Sequence, residues 1–145
     1  MAISYDTNPP LEDVVALLER FIRETIQSTH TAVSSVRGIL TSPDFLCIVV
    51  RDGVAPVGIF IGGVTRHPLF TDRIASDLVN YVIPEYRGGF IATRLVRKFE
   101  AWARRKQVKY VNLGQSTAIG DMARVSKFYN KLGFQTTGFN TIKEL

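Results

Sequence analysis

The stretch IPEYRGGFIATRL, residues 83–95, decides how the rest of the chain is read. Before it, IASDLVNYVI is a β-rich run that Pro84 ends, because proline cannot donate to a sheet ladder. After it, Ile91, Leu95, Phe99 and Trp102 fall on one helical face, with Ala92 and Val96 beside them. A helix is therefore predicted from Gly89 or Phe90 to about Gln107. A strand that passes through glycines into a helix leaves backbone N–H groups unpaired at the helix start, and those groups bind phosphate. Glycine lets the backbone approach an anion closely, and Arg87, Arg94, Arg97 and Lys98 add positive charge nearby. Taken alone, the glycines fit a tight turn with surface arginines just as well. No Gly-Lys-Ser or Gly-Lys-Thr of a P-loop is present, and no early G-x-G-x-x-G opens a dinucleotide fold.

Working back from this stretch, FLCIVVRDGVAPVGIFIGGV reads as two strands joined at Asp52-Gly53, a strong hairpin signal. TRHPLFTD is a loop, and alternation in the next strand puts Ala75, Asp77, Val79 and Tyr81 on one face and Ser76, Leu78, Asn80 and Val82 on the other. Further upstream, PPLEDVVALLERFIRETIQST has helical spacing, and TAVSSVRGIL is a short second helix closed near Gly38 or by Ser42-Pro43. Downstream, KYVNLG is a short strand and DMARVSKFYNKLG a helix with Asp121 as N-cap and Gly133 as stop. FQTTGFNTIKEL closes the chain as a strand broken or bulged around Gly138. The fold class is α+β: a mixed, mostly antiparallel central sheet with helices on both faces.

With 145 residues, 46% hydrophobic and 21% charged, the composition predicts one globular domain over residues 1–145. No apolar run reaches the ~20 residues of a membrane span, and the N-terminal residues lack the pattern of an export signal. Cys47, the single cysteine, reads as a buried small hydrophobe, and its isolation fits a reducing, cytoplasmic setting. The net charge of +5 favours anionic partners. Much of it lies in TRLVRKFEAWARRKQVK, whose cations gather at a helix C-terminus and read mainly as a solvated face. That run lacks the aromatic interleaving of a single-strand binder, which argues against nucleic acid as the partner.

The stretch YVIPEYRGGFIATRLV resembles the acyl-CoA signature of the GNAT superfamily of N-acetyltransferases, with its (R/Q)-x-x-G-x-(G/A) loop after a strand. A second stretch, VSKFYNKLGF, resembles the family's A-x-x-F-Y-x-K-x-G-F at the expected distance. The resemblance spans roughly residues 45–145 and implies a GNAT-like sheet. It also implies acetyl-CoA as cosubstrate, no metal, and direct acetyl transfer to a primary amine of a small molecule or protein. Tyr81, Val82 and Ile83 would then offer backbone groups to the pantetheine arm. Arg87, Gly88, Gly89, Phe90, Ile91 and Ala92, with Thr93 after them, would hold the pyrophosphate. Phe90 departs from the pattern by standing where the usual glycine sits, and Met122 stands in place of the usual Asn.

By the same resemblance Tyr129 is the acid that protonates the departing thiolate, since its OH can donate. Asp77 is the candidate base, with a water relay or a merely structural pairing to Arg73 as alternatives. Glu85 matches a family position without chemistry. His30 and His67 lack ligand companions, although His67 lies in a loop that could touch substrate. Acceptor choice in the family is set largely by the early helices and the loop before the cofactor strand, here residues 32–42 and 65–72. These match no interpretable motif, so the acceptor stays open, an anionic amine included. Members often form homodimers. Phe90 and the missing Asn also admit a non-catalytic acyl-CoA sensor that keeps the fold.

Overall fold

Two long apolar runs fold back on each other at Gly53, whose φ of +61° suits the turn that glycine permits. In the computed structural model, which describes every residue except Ile26, His67, residues 115–120 and Phe139, these runs are β2 (Phe45–Asp52) and β3 (Ala55–Arg66). The other elements are β1 (Ile3–Asp6), α1 (Leu11–Glu24), α2 (Val33–Thr41), β4 (Arg73–Val82), α3 (Ile91–Arg105), β5 (Tyr110–Asn112) and α4 (Met122–Lys131). The sheet runs in the order β1-β2-β3-β4-β5 and is antiparallel except for the parallel pair β4–β5. This is the expected mixed, mostly antiparallel architecture.

Helices cover both faces. On one, α1 buries Val14, Leu17 and Leu18, and its Phe21 meets the Tyr81 ring edge-on at 5.6 Å. On the other, α3 buries Leu95, Val96 and Phe99, with Phe99 4.7 Å from Phe60 and nearly parallel to Trp102 at 5.6 Å. Phe60 and Phe99 are fully buried, each contributing about 2–3 kcal/mol of apolar transfer. Cys47 lies in this core, and burial pushes its thiol up to about 12.

The approach of α3 depends on Gly62. A Cβ at that position would run into the Phe99 ring and come within 2.9 Å of Phe60 Cε1. Gly62→Ala is therefore expected to destabilise the chain by about 1–3 kcal/mol through overpacking, read as a lower urea midpoint.

Three sequence expectations are revised. β1 was not foreseen; it is a short edge strand held by Arg51, which pairs with Asp6 at 3.0 Å and Asp13 at 2.8 Å. No strand forms among the described residues after Gly133. There the Phe134 N–H donates to the Tyr129 carbonyl, and the Thr136 hydroxyl lies 2.8 Å from Ser126 Oγ, so the chain folds onto α4 instead of the sheet. Strict alternation in β4 also fails. Ile61 pairs with Val79 but Gly62 pairs with Asp77, so Leu78 is an extra residue. Asp77 and Asn80 therefore share the α3 face, opposite Gly62 and Phe60, while Val79 and Tyr81 share the α1 face, opposite Ile61 and Ile59.

Candidate active site

β5 is so short that it pairs with β4 only from Ile74 to Ser76. Beyond Ser76 the β5-side edge of β4 is left open among the described residues. A cleft of about 670 Å³ follows that edge. Its walls include Asp77 and Asn80 of β4, Tyr129 of α4, Phe21 of α1, and the glycines before α3.

At one end is the turn into α3. Gly88 has φ +85°, a conformation side chains rarely adopt, and a Cβ at Gly88 or Gly89 would meet open space. No side chain caps α3, so the first N–H groups of the helix lack an internal partner. Phe90 is the N-cap, and its ring does not line the cleft. It is 47% exposed in a separate hollow with Met1, Ile3 and Tyr5, and the Arg94 guanidinium sits 5.2 Å over it. The departure at position 90 thus leaves the backbone of the loop accessible.

Arg87 is committed. Its Nε donates to the Val82 carbonyl at 2.7 Å, its terminal nitrogen reaches Glu24 at 2.9 Å, and its guanidinium lies over the Tyr81 ring. The Tyr81 OH also donates to Glu24. Together with Arg20–Glu85 at 3.7 Å, these contacts tie the end of α1 to the loop before α3.

At the other end are Asp77 and Tyr129. Burial pushes the Asp77 carboxyl up to about 6, against the Gly114 N–H, which donates to it at 3.3 Å. Burial and then the Asp77 charge raise Tyr129, while a hydrogen bond with the Asn80 side chain pulls the other way. Arg73 does not pair with Asp77; it donates to the Lys106 carbonyl at 2.9 Å. A carboxyl titrating near neutrality therefore sits in the same cleft as a phenol that keeps its proton.

A protein-family model described as the acetyltransferase (GNAT) domain matches residues 43–136. The chain belongs to the GNAT acetyltransferase family. Solved GNAT-like structures align over nearly the whole chain. A predicted acetyltransferase from Clostridium acetobutylicum solved with acetyl-CoA has TM-score 0.72 and 18% identity, over 99% of this chain and 95% of that one. Glucosamine-6-phosphate N-acetyltransferase from Arabidopsis thaliana has TM-score 0.77 and 13% identity, over 99% of each chain. An aminoglycoside acetyltransferase from an uncultured soil metagenomic sample, in complex with sisomicin, has TM-score 0.73 and 15% identity, over 99% and 95%. No curated protein sequence matches.

As a GNAT acetyltransferase the chain uses acetyl-CoA as cosubstrate. Its residues fit that molecule: an uncapped helix start for phosphate and an open strand edge for amide groups meet in one cleft. Of the residues expected to bind it, Tyr81, Val82, Arg87, Gly88, Gly89 and Ala92 line the cleft. Ile83 and Ile91 are buried, and the Ile83 N–H already donates to Val57. Thr93 and Phe90 lie outside the lining. Met122 lies outside it too, whereas its neighbours Asp121 and Arg124 are on the wall, Asp121 capping α4 as predicted.

Glu85 is exposed and pairs with Arg20, and His30 is exposed; His67 lies outside the described residues. Among the described residues no acidic, His or Cys cluster could hold a metal, and no helix is long and apolar enough to cross a membrane. Asn80 and Glu24 are the residues that sequence reading missed. Asn80 stood out only as an amide in an apolar strand, and alternation turned it away from Asp77.

Proposed function

We propose that this GNAT acetyltransferase transfers the acetyl group to a primary amine by direct attack, with Asp77 as base and Tyr129 as acid. The observation that carries this reading is the shared cleft of a carboxyl raised to about 6 and a phenol raised above its ordinary value. Acetyl-CoA supplies the activated acyl carbon. A protonated amine, pKa ~10.4 when unperturbed, has no lone pair and must lose a proton first. Asp77, ionised above about pH 6, accepts it, directly or through a water. As the C–N bond forms and the C–S bond breaks, the Tyr129 OH gives its proton to the leaving sulfur, and the second proton shed by the acylated nitrogen restores it through solvent. The N–H groups of Phe90, Ile91, Ala92 and Thr93 hold the pyrophosphate, with Gly88 and Gly89 giving it access. The pantetheine amides pair along the open edge of β4 at Tyr81 and Val82. Arg87 keeps that loop in place.

Millimolar acetyl-CoA is expected to raise the Tm by several degrees, and a panel of primary amines to release free thiol from it. The reading fails if the thermal shift is absent, or if acetyl-CoA binds and no amine releases thiol.

A further inference from the structure

α4 buries none of its residues. Asp121 at its cap and Arg124, Val125, Phe128 and Tyr129 along it recur at helical spacing, and all five line the cleft. The face by which a helix ordinarily packs is here a wall of the site. Within that row Arg124 is the cation. It stands five residues before Tyr129, about 7.5 Å along the helix axis. The guanidinium therefore suits a part of the cosubstrate remote from the thioester, whose leaving sulfur Tyr129 is proposed to protonate.

Among the described residues, Arg87 and Arg124 are the cations on the cleft wall. Arg87 is spent on the Val82 carbonyl, the Glu24 carboxylate and the Tyr81 ring. Arg124 has no ion-pair partner among the described residues. Asp121, one turn before it, is not that partner. Its Oδ1 accepts from the N–H groups of Ala123 and Arg124, so the first-turn donors and the helix dipole offset part of its charge. Acetyl-CoA is the anion this cleft is expected to take, and it brings a pyrophosphate and a 3′-phosphate. The α3 start, beside Gly88 and Gly89, offers those groups backbone N–H donors without a guanidinium to spare. Met122, which replaces the usual Asn, is off the wall and adds nothing. A guanidinium fork matches two phosphate oxygens and makes charge-assisted hydrogen bonds to them.

We infer that Arg124 determines affinity for the cosubstrate by pairing its guanidinium with a phosphate group of CoA. This rests on the placement of CoA proposed above. The test is calorimetry of the whole chain with CoA and with dephospho-CoA, which lacks the 3′-phosphate. Arg124→Gln is expected to weaken CoA binding by about tenfold or more. Lys127→Gln removes the same charge from α4 outside the cleft lining and should stay within about twofold of wild type. If Arg124→Gln weakens dephospho-CoA equally, the partner is the pyrophosphate; if that loss vanishes, it is the 3′-phosphate. Either result upholds the inference. An unchanged Kd for CoA in Arg124→Gln, as an arginine reserved for an anionic acceptor would give, overturns it. So does an equal loss in Lys127→Gln. Gly89→Glu tests the placement separately, because a Cβ there meets open space and the carboxylate would oppose the pyrophosphate. Weakening by Gly89→Glu alone upholds the placement and sinks the inference. Weakening by Arg124→Gln alone does the reverse, and weakening by neither sinks both.

Discussion

Tyr129→Phe is expected to lower kcat by about 10²–10⁴-fold while the Kd for CoA stays within about twofold. The ring packs against Phe128 at 5.3 Å and Phe134 at 5.9 Å, and phenylalanine preserves both contacts. Only the hydroxyl is lost, so a residue that merely packed would show little kinetic effect. Because burial and the Asp77 charge raise its pKa, Tyr129 keeps its proton throughout the neutral range. The wild-type rate should therefore show no loss from tyrosine ionisation in the neutral range. Stopped kinetics with a fixed amine, paired with calorimetry of CoA binding, separates the chemical loss from any loss of affinity. A tenfold weaker Kd with unchanged kcat would remove Tyr129 from the chemistry.

Asp77→Asn should change activity and stability in opposite directions. The wild-type kcat/KM is expected to fall with a limb near pH 6 as Asp77 takes up a proton, and the variant should lose that limb along with most of its rate. Stability follows from the same shift. The folded-state pKa is about 6 against a model value of 3.8, so the native chain holds the proton more tightly than the unfolded one. Its favourable contribution is complete below about pH 3.8 and lost as pH rises through about 6. At pH 8 the buried carboxylate therefore costs about 2–3 kcal/mol, from a shift of roughly two units. Asparagine removes that cost, so the variant's Tm should be several degrees above wild type at pH 8, with a small fraction of that gain left at pH 4. An equal Tm difference at both pH values would mean that Asp77 is not a perturbed carboxyl.

What the sequence disclosed is what local chemistry encodes. Asp52-Gly53 specified its hairpin, Asp121 its helix start, and the glycines before Ile91 the uncapped turn, because each depends on a few adjacent residues. Two signatures forty-odd positions apart named the family. The misses are all non-local. The Leu78 bulge is set by how β4 registers on β3, and one inserted residue reverses which side chains accompany Asp77. The four residues of β1 are too few and too polar to announce a strand, and their place depends on Arg51, which reaches Asp6 and Asp13 from β2. The final segment alternates poorly, and Thr136 spends its hydroxyl on Ser126 and Asn130 of α4. The role of Glu24 rests on contacts with residues 57 and 63 positions away, beyond any spacing rule.

The brevity of β5 has a consequence of another kind. A strand edge with unpaired backbone groups is a template on which a second chain can add itself, and proteins ordinarily cover, charge or shorten such edges. On the proposed placement, the exposed length of β4 past Ser76 is also the groove for the pantetheine arm, so it cannot be closed permanently. In that placement the small molecule would be the missing neighbour of the strand. Loaded, the sheet would have its edge completed by a ligand; empty, it would offer that edge to other strands. On that placement, saturating acetyl-CoA should lower the protein's tendency to associate edge to edge, as read by light scattering with and without it.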